Sequence, residues 1–194
     1  MREVEPFVAE KRPWVERTLR RLREAESERP AARLEDGGVV PYLGRSLELR
    51  VVVEPDRVRP HVALRGERLT VKVPDGGPDT VRAALEGWYR RRAREEVEPR
   101  LDATTRRAGV RYSGLQIRAQ RTRWASCSSS GAMSFNWRLL LAPPEILDYV
   151  VEHEVAHLSL HDHSRAFWAL LASRMPDYRT HERWLKRHGP SLRL

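Results

Sequence analysis

Over residues 5–26 the apolar positions Phe7, Trp14, Val15, Leu19 and Leu22 share one broad side of a helix, with Arg17, Arg20, Arg21 and Arg23 outside it and Pro6 near its start. Residues 27–38 have the composition of a loop. From residue 39 to 73 the pattern becomes an alternation punctuated by Gly44, Pro55, Asp56 and Gly66, which predicts three or four antiparallel strands joined by hairpins. Helical spacing returns near Asp79, with Val81, Ala84, Leu85, Trp88, Tyr89 and Ala93 as an inner stripe. Pro99 predicts a kink or a second helix running to Arg107, and Gly109 predicts the stop. Residues 115–120, 123–127 and 132–136 read as strands, the last two separated by a turn over 128–131. After Pro143 and Pro144, the residues Ile146, Leu147, Val150 and Val151 predict a buried helix. Ser164 is a good N-cap for a helix carrying Phe167, Trp168, Leu170 and Leu171 that ends near Pro176. A last helix with Tyr178, Trp184 and Leu185 stops at Gly189 and Pro190.

This order predicts an α+β fold in which an antiparallel sheet lobe stands beside a helical lobe. Residues 1–77 supply the first helix and the hairpins, residues 78–194 the remainder. With 194 residues the two parts are expected to form one compact unit.

The predicted buried helix contains His153, Glu154 and His157 as an HExxH pentapeptide, and His163 follows six residues later. Residues four apart on a helix lie about 40° from one another around the axis, so His153 and His157 point the same way and can share one Zn²⁺. Glu154 then sits beside the metal without binding it, where a metallopeptidase needs a general base to take a proton from water that the ion acidifies. A satisfied pair of core histidines is the alternative reading of the same two positions.

Composition changes this picture little. Lys+Arg 36 against Asp+Glu 27 gives a net charge of +9, which makes an acidic partner such as nucleic acid or a nucleotide plausible. Only Lys11, Lys72 and Lys186 are lysines, so the excess is an arginine bias that can reflect coding composition as well as binding. One cysteine, Cys127, excludes an internal disulfide framework and fits a reducing compartment. There is no apolar run of membrane-spanning length and no apolar core of a signal peptide, and a cytoplasmic location is expected.

Over residues 121–168, RTRWASCSSSGAMSFNWRLLLAPPEILDYVVEHEVAHLSLHDHSRAFW, the chain resembles the YgjP-like metal-dependent hydrolases of the SprT-like zincin group. Their signature runs RWGSC, a Ser/Gly turn, LNWRL, APP, YVVxHELAH and HSxxFW. A looser resemblance covers FVAEKRPWVE, YLGR, LEGWYRRRA and WLKRHG. Ala125 stands where the family has the glycine of RWGSC, and the chain begins at the first helix, where relatives carry a preceding β-hairpin.

The resemblance implies a zincin-like fold, His153, His157 and His163 as zinc ligands, and Glu154 as general base. Three protein ligands leave a fourth position for water, the catalytic arrangement. His161, Asp162 and His181 are rivals for the third ligand. The interval from His157 to His163 is also that of the metzincins, whose chain turns back at a glycine three residues after the second histidine. Leu160 holds that place here, and Asp162 is the candidate turn-former. Cys127 could close the fourth position or pack behind the site. Arg123, Trp124, Ser126, Asn136, Trp137 and Arg138 are candidates for a ledge on which an extended substrate pairs. Tyr178, His181 and Arg123 are candidates to stabilise an oxyanion.

The leading expectation is a zinc-dependent peptidase acting on peptide or protein substrates, with no membrane partner. The same metal could instead serve a nucleoside-triphosphate pyrophosphohydrolase, an activity also described for YgjP-like proteins. No glycine-rich phosphate loop or Mg²⁺-binding carboxylate cluster accompanies it. The third class is a basic module in which zinc only staples the fold and arginines hold nucleic acid.

Overall fold

A computed structural model of the chain describes residues 33–120 and 122–194 together with Arg12; the predicted helix over residues 5–26 otherwise lies outside the described residues. The first sheet contains β1 (Val39–Tyr42), β2 (Arg45–Val53), β3 (His61–Arg65) and β4 (Arg68–Val73) in the spatial order β1-β2-β4-β3. β1 with β2 and β3 with β4 are antiparallel hairpins, but β2 and β4 run parallel. The all-antiparallel expectation is thereby corrected. Alternation fixes which face a side chain takes and leaves the choice of neighbour open. The segment from Pro55 to Pro60 carries the chain past the place that β4 later fills.

The inward positions Val40, Leu47, Leu49, Leu69, Val71 and Val73 are buried, and they cover helix α1 (Pro78–Ala108). The inner stripe read from the sequence is buried throughout and continues through Val97 and Leu101. Pro99 neither breaks α1 nor starts a second helix. It removes only the donor that would serve the Glu95 carbonyl, and the helix continues through it to Ala108. Gly109 ends the helix in the left-handed region at φ 66°, as its position predicted.

Leu43 and Gly44 join β1 to β2 with φ of 45° and 77°, the left-handed pair that a two-residue hairpin requires. The Leu43 N–H donates to the Leu140 carbonyl at 2.8 Å. A Cβ on Gly44 would stand 3.4 Å from the Pro144 ring. The tip of the first hairpin is thus seated where the histidine-bearing helix begins. Tyr42, Trp88, Tyr89 and Trp137 fill the space behind it, with ring centroids 4.9–5.5 Å apart along the series Tyr42, Trp88, Tyr89, Trp137.

The second sheet contains β5 (Gly114–Arg118), β6 (Ala125–Cys127) and β7 (Ala132–Asn136) in the order β5-β7-β6. The first two strands are shorter than the sequence pattern suggested. β6 and β7 form the expected hairpin, whereas β5 runs parallel to β7. A 3₁₀ turn over Trp137–Leu141, unpredicted, leads into α2 (Pro144–His157), α3 (Arg165–Arg174) and α4 (Tyr178–His188). The described part is therefore α+β, with two small mixed sheets and four α-helices. Among the described residues no helix is long and apolar enough to cross a membrane.

Candidate metal centre

α2 is framed by proline. Pro144 occupies the first turn, where a missing N–H leaves nothing unsatisfied. Ile146, Leu147, Val150, Val151 and Val155 bury its apolar side. His153 and His157 lie one turn apart, and after His157 the chain leaves the helix with the Leu160 N–H bonded to the Ala156 carbonyl at 3.0 Å. Leu160 needs no left-handed conformation for this. The turn that follows is held by Asp162, whose Oδ1 accepts from the Ser164 N–H at 3.1 Å. Ser164 then caps α3 by accepting from the Phe167 N–H at 3.5 Å. Between these two fixed points His163 returns to the histidines of α2, and the bend predicted at Asp162 is the one observed.

The Nε2 of His153 lies 3.2 Å from Nε2 of His157 and 3.1 Å from Nε2 of His163. Among the described residues these three form the one group of histidines, cysteines and carboxylates placed to hold a metal ion. Of the rivals, His161 and Asp162 stay outside that group, and His181 is engaged by Asp177 at 3.1 Å. Nδ1 of His157 faces the Leu160 carbonyl at 3.1 Å, which assigns its proton to Nδ1 and leaves a lone pair on Nε2. One proton on His153 Nε2 could not serve both neighbouring nitrogens. A cation among the three resolves that conflict, so the donor set fits a metal ion, and imidazole nitrogens of this number suit zinc.

Electrostatics agrees with neutral imidazoles. Burial, followed by the like charges His157 and His163 would carry, pushes His153 down to about 3. Burial also lowers His157, and the Leu160 carbonyl opposes it. Phe167 stacks on His157 with centroids 4.6 Å apart, and Trp168 lies 5.5 Å from His163, so α3 walls the cluster with aromatic rings.

Glu154 is 6 % exposed. Burial raises its carboxyl to about 7, against a lowering by the backbone N–H of Cys127 in β6. Its Oε2 is buried with no partner among the described residues, as is Nδ1 of His153. Cys127 stands outside the histidine group and directs its thiol to the Ser128 carbonyl.

The ledge candidates separate into three roles. Ser126 shares a hydrogen bond with Ser134 across the β6–β7 hairpin at 2.8 Å, and Trp137 is fully buried against Tyr89. Asn136 is a buried hub: its amide donates to the carbonyls of Gln120 and Arg123, and its Oδ1 accepts from the Arg138 N–H. Arg123, Trp124 and Arg138 line a cleft with residues of α4 and the chain's last turn. Of the oxyanion candidates, the Tyr178 ring stacks on Trp168, and its hydroxyl accepts from Arg179 at 3.2 Å.

The sequence reading passed over Glu152 and the Leu160 carbonyl. Glu152 is buried between Arg107 of α1 and Arg174 of α3. An acidic residue in an otherwise apolar helix stretch was the available signal for it. Nothing in a sequence marks a backbone carbonyl such as that of Leu160.

A family model described as YgjP-like, metallopeptidase domain, matches residues 1–188. No curated protein matches the chain. Among solved structures, that of the metallopeptidase zymogen of Pyrococcus abyssi abylysin is similar at 24 % identity over 46 % of this chain and 92 % of that one, with a TM-score of 0.42.

Proposed function

The chain belongs to the YgjP-like family, which makes it a metal-dependent peptidase, and on that premise we propose a zincin-like zinc peptidase of the HExxH type. In this reading His153, His157 and His163 hold the zinc and Glu154 is the general base. The observation that carries it is the convergence of three imidazole Nε2 atoms, two of them from the helix that also carries the buried Glu154 carboxyl, which has no cation partner among the described residues. When bound, the ion supplies Lewis acidity, making water more acidic and polarising a carbonyl oxygen. Glu154 takes a proton from the attacking water and gives it to the departing amine. Leu160 fixes the tautomer of His157, and Phe167 and Trp168 keep the imidazoles in place and exclude bulk water.

β6 is an edge strand. The Trp124 carbonyl and the Ser128 N–H both bond towards β7, so the backbone groups of Ala125 and Cys127 point the other way. An extended peptide pairing with that edge passes Glu154, which faces the Cys127 N–H. Residues 1–77 act with residues 78–194 as one unit, a reading supported by the seating of Leu43 on Leu140.

The test is cleavage of an unstructured protein before chelation, after it, and after zinc is restored. Loss and recovery of cleavage are expected. Phosphate or pyrophosphate release from nucleoside triphosphates, without cleavage of the protein, would replace the peptidase reading. Zinc content with neither activity would leave a structural module.

A further inference from the structure

The chain has five tyrosines. The hydroxyls of four are engaged: Tyr42 donates to Glu96 at 2.8 Å, Tyr89 to the Pro41 carbonyl and Tyr112 to Asp102 at 2.8 Å, while Tyr178 accepts from Arg179 at 3.2 Å. Tyr149 is the exception. It is 5 % exposed, and its hydroxyl has no hydrogen-bond partner among the described residues. A buried hydroxyl normally finds a partner, and a phenylalanine would make the same ring contacts at lower cost. Tyr149 stands four residues before His153 on α2, so the two share one face of the helix, a turn apart. Its ring meets His153 edge to face with centroids 6.0 Å apart, and His181 of α4 at 6.2 Å. The phenol thus walls the metal centre on the side towards the start of α2. Burial, followed by the charges that Glu182, Tyr178 and Glu154 carry when ionised, pushes its pKa up and keeps it a donor.

From this placement we infer that Tyr149 is the hydrogen-bond donor to the substrate's carbonyl oxygen during hydrolysis, an inference that rests on the peptidase reading. When water adds to the carbonyl carbon, a C–O bond forms, the carbonyl π pair moves onto oxygen and one water proton goes to Glu154. The carbonyl oxygen then carries negative charge. Tyr149 directs its O–H at that oxygen and keeps the proton, so its contribution is greatest where the charge is greatest. On collapse the pair returns, the C–N bond breaks and Glu154 gives its proton to the amine. The oxyanion candidates read from the sequence are otherwise occupied. The Tyr178 ring is stacked on Trp168 and its hydroxyl holds Arg179. His181 is turned to Asp177 at 3.1 Å and backs the Tyr149 ring, which makes it a positioning residue. Arg123 lines the cleft beside Leu185 and Gly189.

The experiment is Tyr149→Phe in the zinc-loaded full chain, which keeps the ring and removes only the O–H. The substrate is a peptide spanning a bond cut in the unstructured protein. Its phosphinic analogue, tetrahedral and anionic where the scissile carbonyl stood, probes the charged state. In the variant kcat is expected to fall roughly 100-fold with KM nearly unchanged, the loss typical of one oxyanion donor. Affinity for the phosphinic peptide, read by calorimetry, is expected to fall by a similar factor. The uncut peptide is expected to bind Glu154→Gln and Glu154→Gln/Tyr149→Phe proteins equally. These dissociation constants do not depend on the fraction of protein that is folded, and zinc content should match the unaltered chain. Unchanged turnover and unchanged affinity for the phosphinic peptide would overturn the inference and leave the peptidase standing. Equal weakening of the phosphinic and the uncut peptide would overturn it too, because the hydroxyl would then serve ground-state binding alone. Absence of cleavage by the unaltered chain would remove the peptidase reading, and the inference with it.

Discussion

Two carboxylates stand two residues apart on α2, both almost fully buried, and they have opposite surroundings. Residues two apart on a helix are about 200° apart around its axis, so Glu152 and Glu154 face opposite sides. Glu152, 2 % exposed, lies between Arg107 and Arg174 and ties α2 to α1 and α3. Glu154 accepts from the backbone N–H of Cys127, has no cation partner among the described residues, and keeps one oxygen unpartnered. A buried carboxyl with one oxygen unpartnered and no counter-charge lowers stability. The fold tolerates that on one side of α2 and neutralises the same group on the other, which divides the helix into a chemical face and a structural face.

Substitution of Glu154 tests the division most strongly. Glu154→Gln is expected to lower turnover by roughly 100- to 10,000-fold, the range attributed to a general base, and to leave zinc content unchanged. Retained turnover would remove the proton-transfer role. The metal-free protein gives a second readout. Because Glu154 is raised from 4.5 to about 7, folded protein binds more protons than unfolded between those values, and this contribution to stability is lost as pH rises through 7. His153, lowered from 6.5 to about 3, has the opposite sign: its contribution is present above 6.5 and lost as pH falls towards 3. The two slopes oppose one another between pH 4.5 and 6.5. Chemical denaturation of metal-free Glu154→Gln protein is expected to show a steeper loss on acidification across that window than the unaltered chain.

His163→Ala is the next largest expected effect. His163 is exposed and arrives from a loop, so its loss should spare the fold while zinc affinity falls by more than the 10- to 100-fold typical of losing a partner behind a ligand. Full zinc occupancy at submicromolar free metal, measured by elemental analysis after dialysis, would remove it from the ligand set.

The opposite face predicts the opposite outcome. Glu152→Ala leaves Arg174 without its acid and is expected to destabilise the protein by about 2–3 kcal/mol. That is less than a fully enclosed pair because the Arg107 side chain is 62 % exposed. Folded Glu152→Ala protein should retain its zinc affinity. A large loss of affinity without loss of stability would mean that the two faces are coupled and the division is false.

The chemical face was far more legible in the sequence than the structural one. The spacing of His153 and His157 states their geometry outright, because a helix repeats every 3.6 residues. The inner stripe of α1 was legible for the same reason. The parallel pairing of β2 with β4 was not, since alternation in each strand is the same whichever neighbour it has. Pro99 opens no second helix, because a proline removes only one donor and the apolar stripe of α1 runs on through Val97 and Leu101 on both sides of it. Glu152 was hidden because its two partners lie in helices far away in sequence, Arg107 before it and Arg174 after it.

The smallest expected effect concerns the bend that carries His163. Asp162 accepts from the Ser164 N–H, and Ser164 in turn caps α3, so the two residues fix both the return of the chain and the start of the aromatic wall. Asp162→Ala removes the acceptor but keeps the cap, whose loss would itself weaken α3 by about 1 kcal/mol. Freed of the turn, His163 samples more positions, and zinc affinity is expected to fall by a few-fold, short of the His163→Ala loss, with thermal stability of the metal-free protein almost unchanged. Asp162→Asn keeps an acceptor oxygen at the same place and should restore most of the affinity. If Asn and Ala variants lose affinity equally, the carboxylate charge and not the turn is what Asp162 supplies. The bend would then have to be maintained by the bonding of Leu160 to Ala156 alone.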